Sequence, residues 1–224
     1  MNIVQNLKII KESIGSDVQL VAVSKTKPPD MILEVYRSGH LDFGENKVQE
    51  LLDKKESLPD DIRWHMIGHL QSNKVKYIAP FVYLVHSVDS QKILKTLNKE
   101  GGKNNRVIDC LLQVHIAKED SKFGFDEEEL KLLLDSGTFR EMKYVRIRGV
   151  MGMATFTDDF ELVRTEFRDL KRIFDQLKED YFSDQSGFSI LSMGMSGDYI
   201  VALEEGSNMV RIGSQIFGER NYNK

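Results

Sequence analysis

Residues 20–28 read L-V-A-V-S-K-T-K-P. An apolar run arrives at one lysine, Lys25, and the pair Pro28-Pro29 then stops it. Side chains of a strand alternate between faces, so Val21, Val23 and Lys25 share one face. An ammonium that continues an apolar face is costly unless it is paired or gives up its charge. A desolvated lysine is also how proteins make an amine nucleophile for Schiff-base chemistry. The plainer alternative is that Lys25 is the first solvated residue past the strand. Lys27 has the same parity and is the rival lysine, although the turn has begun by that point.

Outward from this stretch, apolar runs and helical periodicities alternate along the chain. Ile3, Val4, Leu7, Ile10 and Ile14 predict a helix before the first strand, either a contact surface or packing under the body of the fold. Strands are expected over 20–24, 41–44, 63–67, 83–87, 107–116, 148–151, 189–193 and 209–213, each followed by a helical pattern. Pro29 opens a helix that Gly39 closes, and Ser72 is expected to cap a short helix ended by Pro80. Asp89 or Ser90 starts a helix that ends at Gly101-Gly102. Asp126 starts another, whose acidic first turn suits the helix dipole. Thr157 or Asp158 starts the longest helix, with Phe160, Val163, Phe167, Leu170, Ile173, Phe174 and Leu177 as its buried stripe.

Strand–helix alternation implies parallel pairing with right-handed crossovers. Eight such units in 224 residues favour a single (β/α)8 TIM barrel over residues 1–224, with an extra N-terminal helix. The strands are short and apolar, as strands covered on both sides are. No linker or composition shift suggests a second domain. The net charge of −4 gives no general attraction to nucleic acid or anionic lipid. The one cysteine, Cys110, excludes an internal disulfide and fits a reducing compartment. The N-terminus lacks a signal-peptide pattern and no run approaches membrane-spanning length, so a cytoplasmic protein is expected.

Barrel sites lie at the C-terminal ends of the strands. Lys25, Gly44-Glu45-Asn46, Gly68-His69, Ser87, Met193 to Gly197 and Gly213-Ser214 collect there. Ser196-Gly197 and Gly213-Ser214 each precede a helix, where free N–H groups and a positive dipole end suit a phosphate. Both serines are alternatively plain caps. Barrel closure would set strand eight beside strand one and bring Lys25 to that phosphate. Arg211 lies between Val210 and Ile212, faces opposite to them, and needs either a structural carboxylate or a ligand as acceptor. His65 and His69 lack the companions of a metal site, and no metal is expected.

V-A-V-S-K-T-K-P at 21–28, F-G-E-N at 43–46 and W-H-M-I-G-H-L-Q-S-N-K at 64–74 resemble the YggS/PROSC family of pyridoxal 5′-phosphate homeostasis proteins. So do R-G-V-M-G-M-A at 148–154, L-S-M-G-M-S at 191–196 and R-I-G-S-Q-I-F-G-E-R at 211–220. The barrel this implies is similar to the N-terminal barrel of alanine racemase, the fold-type III arrangement for this cofactor. The resemblance implies an internal aldimine on Lys25, a phosphate held by Ser196, Gly213 and Ser214, and Arg211 at the pyridine nitrogen. Asn46, His69 and Met193 would line the pocket. Ser214 stands where threonine is common and keeps the hydroxyl; Gly197 stands where an acidic residue is common.

An arginine at the ring nitrogen only donates and leaves that nitrogen unprotonated, which restrains carbanion chemistry. With the chain ending at Lys224, no C-terminal β domain carrying an opposing tyrosine is expected. The implied protein is a non-catalytic carrier of pyridoxal 5′-phosphate, a monomer in transient contact with apoenzymes that need the cofactor. A weak amino-acid racemase and a cofactor-free Schiff-base aldolase remain as alternatives.

Overall fold

The computed structural model describes residues 2–118 and 123–219. Arg220 of the last quoted motif lies outside the described residues. Eight parallel strands close into a barrel in sequence order: β1 (Gln19–Val23), β2 (Asp42–Glu45), β3 (Arg63–Met66), β4 (Leu84–Val88), β5 (Ile108–Gln113), β6 (Val145–Met151), β7 (Ile190–Ser192) and β8 (Met209–Ile212). Closure is made by β1 against β8, with Val21 opposite Arg211 and Ala22 opposite Ile212. The alternating pattern thus does what the sequence predicts: the first and last strands are neighbours.

Helices α1 (Ile3–Ile14), α2 (Pro29–Arg37), α3 (Val48–Ser57), α4 (Val75–Ile78), α5 (Gln91–Lys103), α6 (Glu127–Asp135), α7 (Phe160–Tyr181), α8 (Tyr199–Glu204) and α9 (Ser214–Phe217) surround the strands. Helix α1 buries Ile3, Leu7, Ile10 and Ile14 against α2 and α9, and Asn6 Nδ2 donates to the Ile216 carbonyl at 3.1 Å. Four buried aliphatic side chains, at about 1.5–3 kcal/mol each, are enough to seat the helix on the barrel. Val4, expected on the same stripe, is exposed, and the rest of the stripe is spent within the fold.

Burial follows strand parity. Outward-facing Leu20, Ala22, Phe43, Trp64, Met66, Val85, Cys110, Leu112, Val150, Leu191, Val210 and Ile212 form the layer between barrel and helices. Inward-facing Val21, Leu84, Leu111, Met151 and Met209 form a small separate cluster inside. The strands are not apolar on both faces throughout, however. Asp42, His65, His86, Ser192 and Arg211 are also buried, on the inward parity.

Several element ends differ from expectation, each for a local reason. Helix α5 runs through Gly101 and Gly102 to Lys103. Gly101 is there for packing, since a Cβ would lie 2.5 Å from the Tyr144 carbonyl oxygen. Ser90 caps that helix through the Ile93 N–H. Helix α7 begins at Phe160, because Asp159 accepts from the N–H groups of Glu161 and Leu162 at 3.1 Å; Phe160 itself is exposed and outside the stripe. Ser72 does not cap; it opens a 3₁₀ turn, Ser72–Lys74, that leads into α4. Strand β5 stops at Gln113, after which Val114 bridges to Phe125. Asp126 makes a full capping box with Glu129, worth about 1 kcal/mol.

Candidate functional site

At the C-terminal end of the barrel a cleft of ≈ 840 Å³ is lined by Lys25, Asn46, His69, Ser196, Arg211, Gly213 and Ser214. All were singled out from the sequence. Met193 was as well, but it is fully buried in the outer layer and does not line the cleft; Met195, two residues on, does. Just past Met193 the chain turns at Gly194, with φ +93°. The Arg211 backbone N–H holds that turn by donating to the Gly194 carbonyl at 3.0 Å.

Lys25 follows Ser24, past the end of β1, and is half-buried. The turn that carries it is fixed from outside the barrel. Lys54 of α3, itself buried, donates to the Ser24 carbonyl at 2.8 Å, to Glu45 Oε1 at 2.8 Å and to Glu50 Oε1 at 2.7 Å. Ser24 Oγ donates to the same Glu45 oxygen at 2.6 Å, and Thr26 N–H donates to Glu50. Thr26 has φ +65°, a left-handed conformation that a β-branched residue adopts only where its surroundings impose it. Lys27 is directed elsewhere: its Nζ donates to the Gly218 and Glu219 carbonyls at 2.9 and 2.8 Å.

The loops after β7 and β8 meet. Gly213 N–H donates to Ser196 Oγ at 3.2 Å, and Gln215 Nε2 donates to the Ser196 carbonyl. A Cβ at Gly213 would stand 3.0 Å from the Val23 carbonyl oxygen, so the glycine brings the β8 loop up against the end of β1, beside Lys25. Asp198 does not cap α8. Its carboxylate turns back to accept from Met195 N–H at 2.6 Å, and burial pushes its pKa up.

The hydrogen bonds of Arg211 go to a hydroxyl and to carbonyls rather than to a structural carboxylate. Its Nη1 donates to the Ser192 carbonyl at 2.9 Å and Ser192 Oγ at 2.6 Å, and its Nη2 to the Gly152 carbonyl at 3.0 Å. Burial lowers its pKa to about 10, so it is still charged at neutral pH. Across the cleft mouth, His69 is exposed and its Nδ1 lies 2.8 Å from Asp89 Oδ2. Asn46 is half-buried, and Gly68 packs so closely that a Cβ would fall 2.4 Å from the Asn46 carbonyl oxygen. His65 is inside the barrel, bonded to Asp42 and His86, and does not approach His69 as a co-ligand.

The residues that sequence reasoning missed are Glu45 and Lys54 as supports of the Lys25 turn, and His86 and Ser192 as partners reaching toward Arg211. The signal for the last two was present. Each is a polar residue at the inward parity of a mostly apolar strand, the same anomaly that drew attention to Arg211.

The model of the alanine racemase N-terminal domain matches residues 1–221. The pyridoxal phosphate homeostasis protein of Aquifex aeolicus is 42% identical over 205 residues, covering 91% of this chain and 88% of the relative. The chain belongs to the pyridoxal phosphate homeostasis protein family. The family member from Haemophilus influenzae is 37% identical over 235 residues, 99% of this chain and 98% of its own. Among solved structures, PipY of Synechococcus elongatus with pyridoxal phosphate bound superposes with a TM-score of 0.86 at 32% identity, covering 96% of this chain and 100% of that one. Alanine racemase from Bartonella henselae shares the barrel at 17% identity and a TM-score of 0.74, with 61% of its length covered. The homeostasis family thus shares this barrel over most of its length, whereas the racemase carries the barrel as one part of a longer chain.

Proposed function

We propose that this protein binds pyridoxal 5′-phosphate and serves pyridoxal phosphate homeostasis, holding the cofactor covalently and reversibly through the Lys25 amine. The observation that carries this is the cleft itself: a lysine, two serine hydroxyls, a glycine-bordered loop set against the end of β1, and a buried guanidinium, all lining one cavity. The family relationship, and a relative solved with pyridoxal phosphate bound, support the same reading.

The cofactor supplies an aldehyde, an anionic phosphate tail and an electron-poor ring. Lys25 is the amine for the aldehyde. Ser196, Ser214 and the backbone around Gly213 take the phosphate, where hydrogen bonds to a charged group are worth about 1.5–3 kcal/mol each. Arg211 would be the partner of the ring nitrogen, and because a guanidinium has no acceptor it would leave that nitrogen unprotonated, making the ring a weak electron sink. Asn46 and His69 would help hold the ring, and Met193 would act from behind the cleft wall by packing.

We further propose that the protein is a carrier and not an enzyme. Among the described residues no tyrosine lines the cleft to act as an opposing acid or base. It works as a cytoplasmic monomer that hands the cofactor to apoenzymes by transient contact. Among the described residues no helix is long and apolar enough to cross a membrane.

The test is to load the protein with the cofactor, incubate it with single amino-acid enantiomers and follow interconversion. A carrier gives a yellow protein without sustained turnover. Robust racemisation would replace it with an enzyme, and a colourless protein with aldolase activity would replace it with a cofactor-free Schiff-base catalyst.

A further inference from the structure

A line of buried polar side chains crosses the inside of the barrel from end to end. Asp42, the first residue of β2, borders a second cavity of ≈ 800 Å³ at the N-terminal ends of the strands, together with Gln19 and Arg63. Gln19 Nε2 and Arg63 Nη2 both donate to its carboxylate. From there the contacts run upward. His65 Nε2 lies 3.0 Å from Asp42 Oδ1, and His65 Nδ1 lies 2.9 Å from His86 Nε2. His86 Nδ1 is 3.3 Å from Ser192 Oγ, which accepts from Arg211 Nη1 at 2.6 Å. Arg211 opens into the cleft at the other end.

Protons on this line can be placed only one way. An ionised carboxylate only accepts, so His65 carries its proton on Nε2 and its Nδ1 is an acceptor. His86 must then donate through Nε2 and accept at Nδ1. Ser192 spends its O–H on His86, and its oxygen takes the Arg211 N–H. Burial holds both histidines below their ordinary range, which keeps them neutral, as this assignment requires. Burial raises the Asp42 carboxyl, but the His65 hydrogen bond and the Arg63 charge bring it below its ordinary range. Every hydrogen bond thus points from the guanidinium toward the carboxylate, and bonds aligned in one sense polarise one another.

The position of this line is unexpected on packing grounds. The same interior holds Val21, Leu84, Leu111, Met151 and Met209, and apolar side chains in place of the histidines would avoid desolvating polar groups. A fully satisfied buried network does something an apolar core does not: it fixes one orientation of its end group.

We propose that Asp42, His65, His86 and Ser192 are positioning residues for Arg211, a one-directional relay that holds the guanidinium toward the cofactor ring and ties the bound cofactor's electronic state to the opposite end of the barrel. This rests on the cofactor reading above. None of the four lines the cleft; they act through Arg211.

The experiment compares wild type with Ser192→Ala, His86→Leu, His86→Gln and Asp42→Asn, each loaded with pyridoxal 5′-phosphate. Three readouts are taken: the absorption band of the bound cofactor, its dissociation constant, and borohydride labelling of Lys25. Ser192→Ala and His86→Leu are expected to shift the band and to weaken binding about fivefold, the size of one neutral hydrogen bond. His86→Gln, whose amide also accepts at one atom and donates at the other, should return both values toward wild type. Asp42→Asn should move the band in the same direction, from the far end of the barrel. If His86→Leu does not fold, Ser192→Ala, which removes a single oxygen, decides. Variants that melt earlier but keep the wild-type band and affinity would overturn the relay alone. Wild-type protein without label on Lys25 would overturn the cofactor reading and the relay with it.

Discussion

Lys54 Nζ stands 2.8 Å from the Ser24 carbonyl oxygen, so a buried ammonium on α3 grips the peptide immediately before Lys25. The same ammonium is shared by Glu45 and Glu50, and Glu50 holds the Thr26 N–H on the other side of Lys25. Lys25 is thereby bracketed by two backbone contacts that one ion-pair cluster supplies.

Removing the cation should undo the bracket. Lys54→Met leaves the fully buried Glu45 facing a second carboxylate without compensation, a situation that costs about 3–5 kcal/mol. Urea unfolding should show that loss, and cofactor affinity should fall with it, because Thr26 is released from φ +65° and the Lys25 turn relaxes. A variant of unchanged stability and affinity would show that the cluster supports neither.

Stability should depend on pH through the buried imidazoles. Burial is the main cause that keeps His40, His65 and His86 below the ordinary histidine range, His40 at about 4. In the unfolded chain they take up protons as the pH falls through about 6.5. Below that pH the unfolded state binds more protons than the folded one, so stability is full above about 6.5 and declines as the pH drops. His40 alone accounts for about 2 kcal/mol by about pH 5. Denaturant midpoints measured at about pH 7.5 and about pH 5 check this. Equal values would mean that the imidazoles are protonated in the folded state.

The barrel was legible in the sequence because short, nearly continuous apolar runs, the mark of strands covered on both sides, alternate with helical patterns of about 3.6 residues. Closure followed from counting the units, and with it the meeting of Lys25 with Gly213. Element ends were less legible. Gly101 reads as a stop signal, yet it marks close packing against Tyr144, a residue distant in the sequence. The supports of the site were the hardest to see. Lys54 reads as one more charged residue on an exposed helix face, and only its approach to Ser24 across the β1 end shows it to be buried. Met193 was placed by motif position, and the turn at Gly194 leaves it in the wall.

The Ser196 and Ser214 hydroxyls, proposed to take the phosphate, should matter only in part. Ser196→Ala with Ser214→Ala removes hydrogen bonds worth about 1.5–3 kcal/mol each when made to a charged group. The Gly213 N–H, which now donates to Ser196 Oγ, is freed to take their place. Titration of the apo double variant with pyridoxal 5′-phosphate should therefore show weakened but saturable binding. Complete loss would show that the backbone contributes little; unchanged affinity would move the phosphate elsewhere.

Lys25, and no other lysine, is expected to take the cofactor. Lys27 is the competitor, two residues along and bordering the same cleft, but its ammonium is drawn to the carbonyls at the end of α9. Borohydride reduction of the loaded protein followed by peptide mapping separates them. A reduced pyridoxyl group is expected on Lys25, and none in a folded Lys25→Ala variant; label on Lys27, or label that survives Lys25→Ala, would contradict the claim.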